Sequence, residues 1–250
     1  MTPTPPPHGD DTAVAIMRQA TRAFGARTAL ATVDLRVRAG ELVGVVGPNG
    51  GGKSTLLFLL AGLLRPTSGS VTVSGVAAHE LSRTATGRIG LVTARPGLYP
   101  LLTGRENLRH FGGLFGLSSV DVDDKAEPLV GAFELHAHLD ARVGALSTGM
   151  QQKLSLVRAL LLAPTLLLLD EPTANLDPLA ARTLYAEVRR RADQGLACVL
   201  VTHDLTAAES ACDRVLLVDG SIKRELAFTS RRAAPGGPLL DAWRAALGAP

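Results

Sequence analysis

The amino-acid sequence predicts an α/β fold, in which a largely parallel sheet is covered by helices. Short apolar runs alternate with helical patterns from one end of the 250-residue chain to the other. Aromatic residues make up only 4% of the chain, whereas Leu, Ala, Val and Gly are abundant. A core of small aliphatic side chains suits a parallel sheet, because its strands are buried on both faces and read as continuous apolar runs.

The first part of the chain predicts strands around a glycine-rich loop. Strands are predicted, in chain order, at 13–19, 33–37, 41–46, 71–73 and 89–92. The first two belong to an early β-rich layer, and the third leads into the glycine-rich loop. Residues 53–64 predict the helix that follows this loop, with an end near Pro66.

A helical segment then interrupts the sheet. Helices are predicted at 105–117, 123–135 and 150–162, with no strand pattern between them. We therefore expect an inserted α-helical subdomain over about 98–160. The sheet resumes with strands at 166–169, 197–201 and 215–218, separated by helices at about 179–194 and 204–211.

The two ends of the chain differ in composition from its centre. Residues 1–10 are proline-rich and lack the basic head and apolar stretch of a secretory signal, so they predict a disordered leader. We expect one domain over 11–228 and a tail over 229–250 with a short helix at 239–247. The longest apolar run, 56–64, is well short of the ~20 residues of a membrane span, which predicts a soluble protein.

Charge and cysteine content exclude two classes of function. The formal net charge is only +3 and the basic residues are dispersed, so no nucleic-acid partner is indicated. The chain has two cysteines, Cys198 and Cys212, without metal or redox spacing. They predict reduced thiols in the core of a cytosolic protein.

The glycine-rich loop has the pattern of a phosphate-binding loop. It matches G-x-x-x-x-G-K-S/T between a predicted strand and a predicted helix. Glycines let backbone N–H groups converge on phosphate oxygens, and the start of a helix favours an anion. Lys53 would place a cation on the β- and γ-phosphates, and Ser54 would offer a hydroxyl to Mg²⁺. The residues predicted to bind the nucleotide here are Gly47, Pro48, Asn49, Gly50, Gly51, Gly52, Lys53, Ser54 and Thr55.

An acidic pair follows the apolar strand at 166–169. At the carboxyl end of a parallel strand near the loop, Asp170 can hold Mg²⁺, usually through water. Glu171 comes next, and a general base beside a metal-binding carboxylate is chemically sensible. The alternative is an ordinary helix-capping Asp-Glu pair before Pro172, which does not explain its place downstream of a phosphate loop.

Residues 146–153 read Leu-Ser-Thr-Gly-Met-Gln-Gln-Lys and are the most specific segment of the chain. They open a predicted helix about one helix length before the acidic strand end. Taken alone, Ser147 could be a plain helix N-cap. Together with the phosphate loop and the acidic pair, however, the segment resembles the signature motif of the ATP-binding subunits of ABC transporters. The resemblance covers about 13–226.

The resemblance implies a fold and a set of roles. The fold is a P-loop NTPase core with a mixed, mostly parallel sheet, an N-terminal antiparallel layer and the helical insertion. Glu171 would polarise the attacking water, and His203, in Val-Thr-His-Asp after a strand, would be the switch histidine that contacts the γ-phosphate. Phe24 would stack on adenine, although a core position competes with that role. Two copies would close head to tail around two Mg-ATP.

The resemblance implies that three residues contact ATP bound to the opposite subunit. These are Ser147 and Gly149 in the signature segment and Asp177 in the dimer-contact loop. A capping role for Asp177, at the helix that starts with Pro178, remains an alternative.

The resemblance also implies cofactors, partners and a location. ATP and Mg²⁺ are the expected ligands, and a second ATPase subunit, identical or a close paralogue, is the expected partner. A separate membrane permease would dock near 98–117, so the chain would be cytoplasmic and peripheral to the inner face of the membrane.

The sequence departs from the family pattern at the hinge and in the signature. Ala94 stands where the family commonly has a Gln that binds Mg²⁺, and a water could fill that coordination position. Thr148 and Met150 replace the third and fifth residues of Leu-Ser-Gly-Gly-Gln. With the stretch at 97–108, they resemble the branch of sodium-efflux and antibiotic-export ATPases.

We therefore expect an ATP-hydrolysing exporter subunit. Two alternatives remain open: a hydrolysis-impaired regulatory module, motivated by Ala94, and an importer ATPase. A DNA-repair ATPase would need a long coiled-coil insertion, and a ribosome-acting factor would usually join two ATPase units in one chain. Neither feature is found in the sequence.

Overall fold

Two sheets organise the chain in the computed structural model, which describes residues 13–81 and 88–228 together with Leu239, Asp241, Trp243 and Ala245. The strands are β1 (Ala13–Phe24), β2 (Arg27–Arg38), β3 (Leu42–Val46), β4 (Ser68–Val73), β5 (Val76–Ala77), β6 (Ile89–Thr93), β7 (Leu166–Asp170), β8 (Ala197–Val201), β9 (Arg214–Val218) and β10 (Ile222–Ala227). The helices are α1 (Lys53–Leu60), α2 (Ala78–Leu81), α3 (Gly104–Gly113), α4 (Ser119–Ala132), α5 (Thr148–Leu160), α6 (Pro178–Asp193) and α7 (Leu205–Ala211).

The first sheet is four-stranded and antiparallel, in the order β2-β1-β4-β5. Its longest pair, β1 and β2, is a hairpin closed by the two residues between Phe24 and Arg27. Gly25 takes the left-handed conformation that such a tight turn requires, with φ of 59°. The expected N-terminal antiparallel layer is confirmed.

The second sheet has six strands in the order β10-β9-β3-β8-β7-β6. All neighbours are parallel except β10, which runs antiparallel to β9. Side chains of a strand alternate between its two faces, and both faces of this sheet are buried. Val43 and Val45 belong to the core shared with α1 and the first sheet, whereas Leu42 and Val46 belong to the core shared with the helical insertion.

The helical insertion lies between β6 and β7. It contains α3, α4 and α5, with two short 3₁₀ turns at His136–His138 and Val143–Ala145. The starts of α3 and α4 are both fixed by capping boxes, formed by Thr103 with Glu106 and by Ser118 with Asp121. The predicted helical stretch at 98–160 is therefore confirmed in type, with helix ends shifted by a few residues.

The structure differs from the sequence prediction at several element boundaries. The strands predicted at 13–19 and 33–37 are longer, since β1 runs to Phe24 and β2 starts at Arg27. Helix α1 ends at Leu60, not at 64, because Gly62 is left-handed and the N–H of Leu63 bonds to the carbonyl of Phe58, which is a Schellman end. The short elements β5 and α2 and the edge strand β10 were not predicted. The predicted leader and most of the predicted tail helix lie outside the described residues, although the four described tail positions are helical.

Both cysteines are buried and unbridged. Burial raises the pKa of the Cys198 thiol to about 12, and it raises the pKa of Cys212 as well. The prediction of reduced core thiols is therefore confirmed. Over the described ranges, no helix combines the length and apolarity that crossing a membrane demands.

Candidate active site

Four parallel strands end together at one edge of the second sheet. In register, Thr93 of β6 lies beside Asp170 of β7, Asp170 beside Val201 of β8, and Val201 beside Val45 of β3. The segments that follow these strands therefore meet outside their carboxyl ends, where open α/β sheets bind ligands. They carry the glycine-rich loop, Ala94, Glu171 and His203.

The glycine-rich loop fits tightly between neighbouring backbones. A Cβ added to Gly47 would lie 1.9 Å from the carbonyl oxygen of Val218 in β9. Gly52 has φ of 95°, and a Cβ there would lie 2.5 Å from the carbonyl oxygen of Ala29 in β2. Only glycine fits these two positions without displacement, because a Cβ would overlap main-chain atoms that would then have to shift.

Lys53 places a buried cation at this loop. Its side chain is the first of α1, the residue is only 6% exposed, and its Nζ donates to the carbonyl oxygens of Gly47 and Pro48 at 2.9 Å each. Burial lowers the pKa of Lys53, against the opposing attraction of Glu171 and Asp170. The structure thus brings Lys53 together with both predicted acids.

Asp170 and Ser54 form a pair of neighbouring oxygen donors. The Ser54 hydroxyl lies close enough to the Asp170 carboxylate to act on its pKa. Burial raises the pKa of Asp170 above its usual value. The neighbouring Ser54 hydroxyl and the Lys53 cation lower this pKa, but by less than burial raises it. One carboxylate and one hydroxyl suit Mg²⁺, which takes its other ligands from phosphates and water. Among the residues that the structure describes, no three His, Cys, Asp or Glu side chains cluster to hold a metal by themselves.

Glu171 contacts His203 directly. The Glu171 Oε1 and the His203 Nε2 lie 2.7 Å apart. Glu171 has φ of 51°, a left-handed conformation that costs about 1 kcal/mol in a residue with a side chain, and its N–H bonds to the carbonyl of Val201. Such strain at a strand end turns the carboxylate out of the sheet towards the phosphate loop, whose cavity it lines.

The cavity beside the loop has a volume of about 430 Å³. It is lined by Phe24, Arg27, Ala29, Asn49, Gly50, Gly52, Lys53, Ser54, Thr55 and Glu171. Phe24 is 47% exposed, and the guanidinium of Arg22 lies 4.4 Å from the centre of its ring. The competing prediction that Phe24 is a core residue is therefore wrong, and its stacking on a base stays a prediction.

The signature segment and the dimer-contact loop lie elsewhere. Ser147 is the N-cap of α5 and accepts from the N–H of Met150 at 3.2 Å. Asp177 is the N-cap of α6 and accepts from the N–H groups of Leu179 and Ala180. In the described part of the chain, neither residue nor Gly149 lines the cavity at Lys53. Ser147 and Asp177 are therefore both helix N-caps in this structure. Their contacts with ATP bound to a second subunit stay predictions.

Three side chains of α5 that the sequence did not single out hold the segment after β6. The Gln152 amide donates to the carbonyl of Thr93, the Ser155 hydroxyl to that of Pro96, and Arg158 to that of Gly97. Their three-residue spacing puts them on one helix face. This spacing of polar residues is the sequence pattern that could have indicated a shared contact. The segment that contains Ala94 is therefore attached to the helix that starts at Ser147.

The described tail also reaches the phosphate loop. Leu239 is fully buried, and Trp243 borders a narrow crevice that it shares with Gly47, Pro48 and Lys223, among others. The tail therefore returns to the edge of the domain that holds the start of the loop.

Comparison with known sequences identifies the family. The sequence model described as "ABC transporter" matches residues 30–174. The chain is 37% identical over 202 residues to the Nod factor export ATP-binding protein I of Burkholderia lata, covering 81% of this chain and 66% of that protein. It is 36% identical over 207 residues to the uncharacterized ABC transporter ATP-binding protein YdbJ of Bacillus subtilis, with 82% and 66% covered. The chain thus spans just under two thirds of the length of each of these relatives.

Solved structures agree with the sequence comparison. An ATP-binding subunit of an ABC transporter superposes with a TM-score of 0.78 at 30% identity, covering 94% of each chain. A dimeric ATP-binding cassette in a post-hydrolysis state with ADP and Pi superposes with a TM-score of 0.77 at 28% identity, covering 88% of this chain and all of that one. With the phosphate loop, signature segment and acidic strand end all inside the matched region, the chain belongs to the ABC transporter family and carries its ATP-binding domain.

Proposed function

We propose that this chain binds and hydrolyses ATP as the nucleotide-binding subunit of an ABC exporter. One observation carries the hydrolysis part of this proposal. Glu171 is bonded to His203 at 2.7 Å and lines the same cavity as Lys53. A carboxylate held by an imidazole next to a phosphate loop is placed to accept a proton from a water that attacks the terminal phosphate.

Different residues of the cavity would bind different parts of the nucleotide. Phe24 offers an exposed ring face to the base, and the loop N–H groups with Lys53 hold the phosphates. Ser54 and Asp170 would hold Mg²⁺, which neutralises charge on the transferred phosphoryl group when it is bound. Ala94 has no side-chain ligand to add, so water and phosphate oxygens complete that coordination.

A second subunit would complete the site. Ser147 and Asp177 are exposed, and a Cβ on Gly149 would lie 3.8 Å from Leu176 in the loop that carries Asp177. The signature helix and the dimer-contact loop therefore form one continuous surface. A helix N-terminus and a serine hydroxyl suit the terminal phosphate of ATP held by another copy. The solved cassette with ADP and Pi is itself dimeric, which supports this arrangement.

The helical insertion offers a surface to a membrane subunit. Tyr99, Leu101, Leu114 and Phe115 are exposed there, and Leu101 is 78% exposed. The buried amide of Asn107 bonds to both the N–H and the carbonyl of Tyr99, so this apolar loop has a fixed shape. A permease that binds it would hold the chain at the cytoplasmic face of the membrane. The relatives named as export proteins favour export over import.

The test of hydrolysis is Glu171→Gln. We expect ATP turnover to fall by about 100-fold or more, because the general base is lost, while ATP binding is retained. Glu134→Gln is a matched control, since Glu134 is also a left-handed glutamate, with φ of 56°, but lies in the helical insertion. Turnover is measured by phosphate release, alone and with the membrane partner, and an unchanged rate in Glu171→Gln would remove Glu171 from the role of base.

A regulatory module that binds ATP without hydrolysing it is the second candidate. Ala94 favours it, because a Gln ligand that the family commonly supplies is replaced by a methyl group. The same assay separates the two candidates. Wild-type protein that binds ATP but releases no phosphate, even with its membrane partner, would establish the regulatory module and refute the ATPase.

A further inference from the structure

Arg27 lies at the mouth of the cavity beside the phosphate loop. It is the first residue of β2 and the cross-strand partner of Phe24 at the closed end of the hairpin. The two-residue turn forces the two side chains to lie next to each other on the rim of the cavity, which both of them line. Arg27 is therefore positioned by the same turn that positions the base-stacking ring.

The guanidinium of Arg27 reaches the tip of the phosphate loop. Its Nη2 lies 3.6 Å from the point that a Cβ on Gly50 would occupy. Lys53, by contrast, is bonded to carbonyls at the start of the loop, those of Gly47 and Pro48. Two cations thus border the loop at different points, and Arg27 is the one between Phe24 and the loop.

Among the described residues, the Arg27 side chain has no hydrogen-bond or ion-pair partner. The residue is also exposed. Its neighbour Arg22 is different, since Arg22 donates to the carbonyl of Arg65 and stacks on Phe24. A free guanidinium presents five N–H donors in a planar fork, a geometry that matches two phosphate oxygens.

We propose that Arg27 binds the phosphate chain of the nucleotide on its adenosine side, next to the base on Phe24. The proposal rests on the proposed function, because it adds a residue to the same ATP site. It assigns Arg27 to the phosphates that ATP and ADP share, whereas the terminal phosphate belongs to the region of Lys53, Glu171 and His203. Arg27 would therefore hold the nucleotide before and after hydrolysis.

The experiment is a comparison of dissociation constants for ADP and for a non-hydrolysable β,γ-imido analogue of ATP, measured by calorimetry on the full chain. In Arg27→Gln we expect both constants to rise by about tenfold, the usual effect of losing a charge-assisted hydrogen bond at a partly exposed site. Arg27→Lys should recover only part of the loss, because an ammonium cannot make the planar two-point contact. Arg36→Gln, at the other end of β2, is the control for the change in net charge.

Each outcome has a defined meaning. Wild-type affinities in Arg27→Gln would overturn the proposal, and so would an equal loss in Arg36→Gln, which would reveal a general effect of charge. A loss for the ATP analogue alone would overturn the assignment to the adenosine side. If the unchanged protein binds neither nucleotide, the proposed function itself fails, so the two failures are distinguishable.

Discussion

Gly47 shows how closely the phosphate loop is packed at the scale of one residue. The carbonyl oxygen of Val218 occupies the space that a methyl group at this position would need. We expect Gly47→Ala to lower the free energy of unfolding by about 2 kcal/mol, because main chain must shift to relieve the overlap. It should also weaken ATP binding, since the loop N–H groups would move.

Urea denaturation of Gly47→Ala measures this effect, and Gly113→Ala is its control. Gly113 ends α3, and a Cβ there has nothing within 4 Å, so this variant should keep or slightly exceed wild-type stability. Equal stability of Gly47→Ala and the wild type would contradict the prediction.

The residues of the site were predictable to different degrees. Lys53 and Asp170 could be assigned from local patterns, because a phosphate loop and an acidic strand end each have a fixed local geometry. Arg27 could not, since its proximity to Gly50 depends on how the first sheet packs on the loop. For Ser147 the sequence allowed two roles at once, a helix cap and a contact to a second subunit, and only the cap lies within a single chain.

At the scale of elements, Arg158 joins three parts of the helical insertion. From α5 it donates to the carbonyl oxygens of Gly97 and Leu91 and lies 4.8 Å from the centre of the Phe111 ring in α3. Burial lowers the pKa of Arg158, and the buried guanidinium takes these carbonyl oxygens as acceptors in place of water. The contacts fix the segment after β6 between the sheet and the apolar surface of the insertion.

We expect Arg158→Gln to lower the free energy of unfolding by about 2 kcal/mol, because two backbone carbonyls lose a charged donor. Arg158→Lys should not restore stability, since one ammonium cannot replace the planar fork. Denaturant unfolding is the measurement, with Arg182→Gln on the exposed face of α6 as the control. A loss no larger than in that control would show that the Arg158 contacts are dispensable.

Strongly patterned elements were predictable, and edge elements were not. The buried strands β7 and β8 were predicted because each is a run of apolar residues covered on both faces. Strand β10 escapes the sequence pattern because four of its six residues are exposed and its centre, Lys223 to Glu225, is charged, as is usual where only one neighbour pairs with a strand. The sequence predicts too late an end for α1, because Pro66 is a strong helix-stop signal, whereas Gly62 already ends the helix.

At the scale of the whole molecule, the proposed shared site would need a second copy of the chain. Lys53 and Glu171 share one cavity, whereas Ser147 lies on another surface. Lys53→Ala and Ser147→Arg should each abolish ATP turnover when tested separately. Mixed in equal amounts, they should recover about a quarter of the wild-type rate, because half of the dimers then have one intact site of two.

Mixing Lys53→Ala with Glu171→Gln is the matched control for this experiment. Both substitutions damage the half of the site that one chain supplies, so no mixed dimer has an intact site and no activity should return. Phosphate release is the measurement in both mixtures. A Lys53→Ala and Ser147→Arg mixture that is no more active than its components would contradict a site shared between two chains.

The position of Trp243 has a practical consequence. The chain has a single tryptophan, and its indole borders the crevice that contains Gly47 and Pro48. All tryptophan fluorescence of the protein therefore originates beside the start of the phosphate loop. Its emission spectrum therefore depends on the surroundings of Gly47 and Pro48, and we expect nucleotide binding to change it without an attached dye.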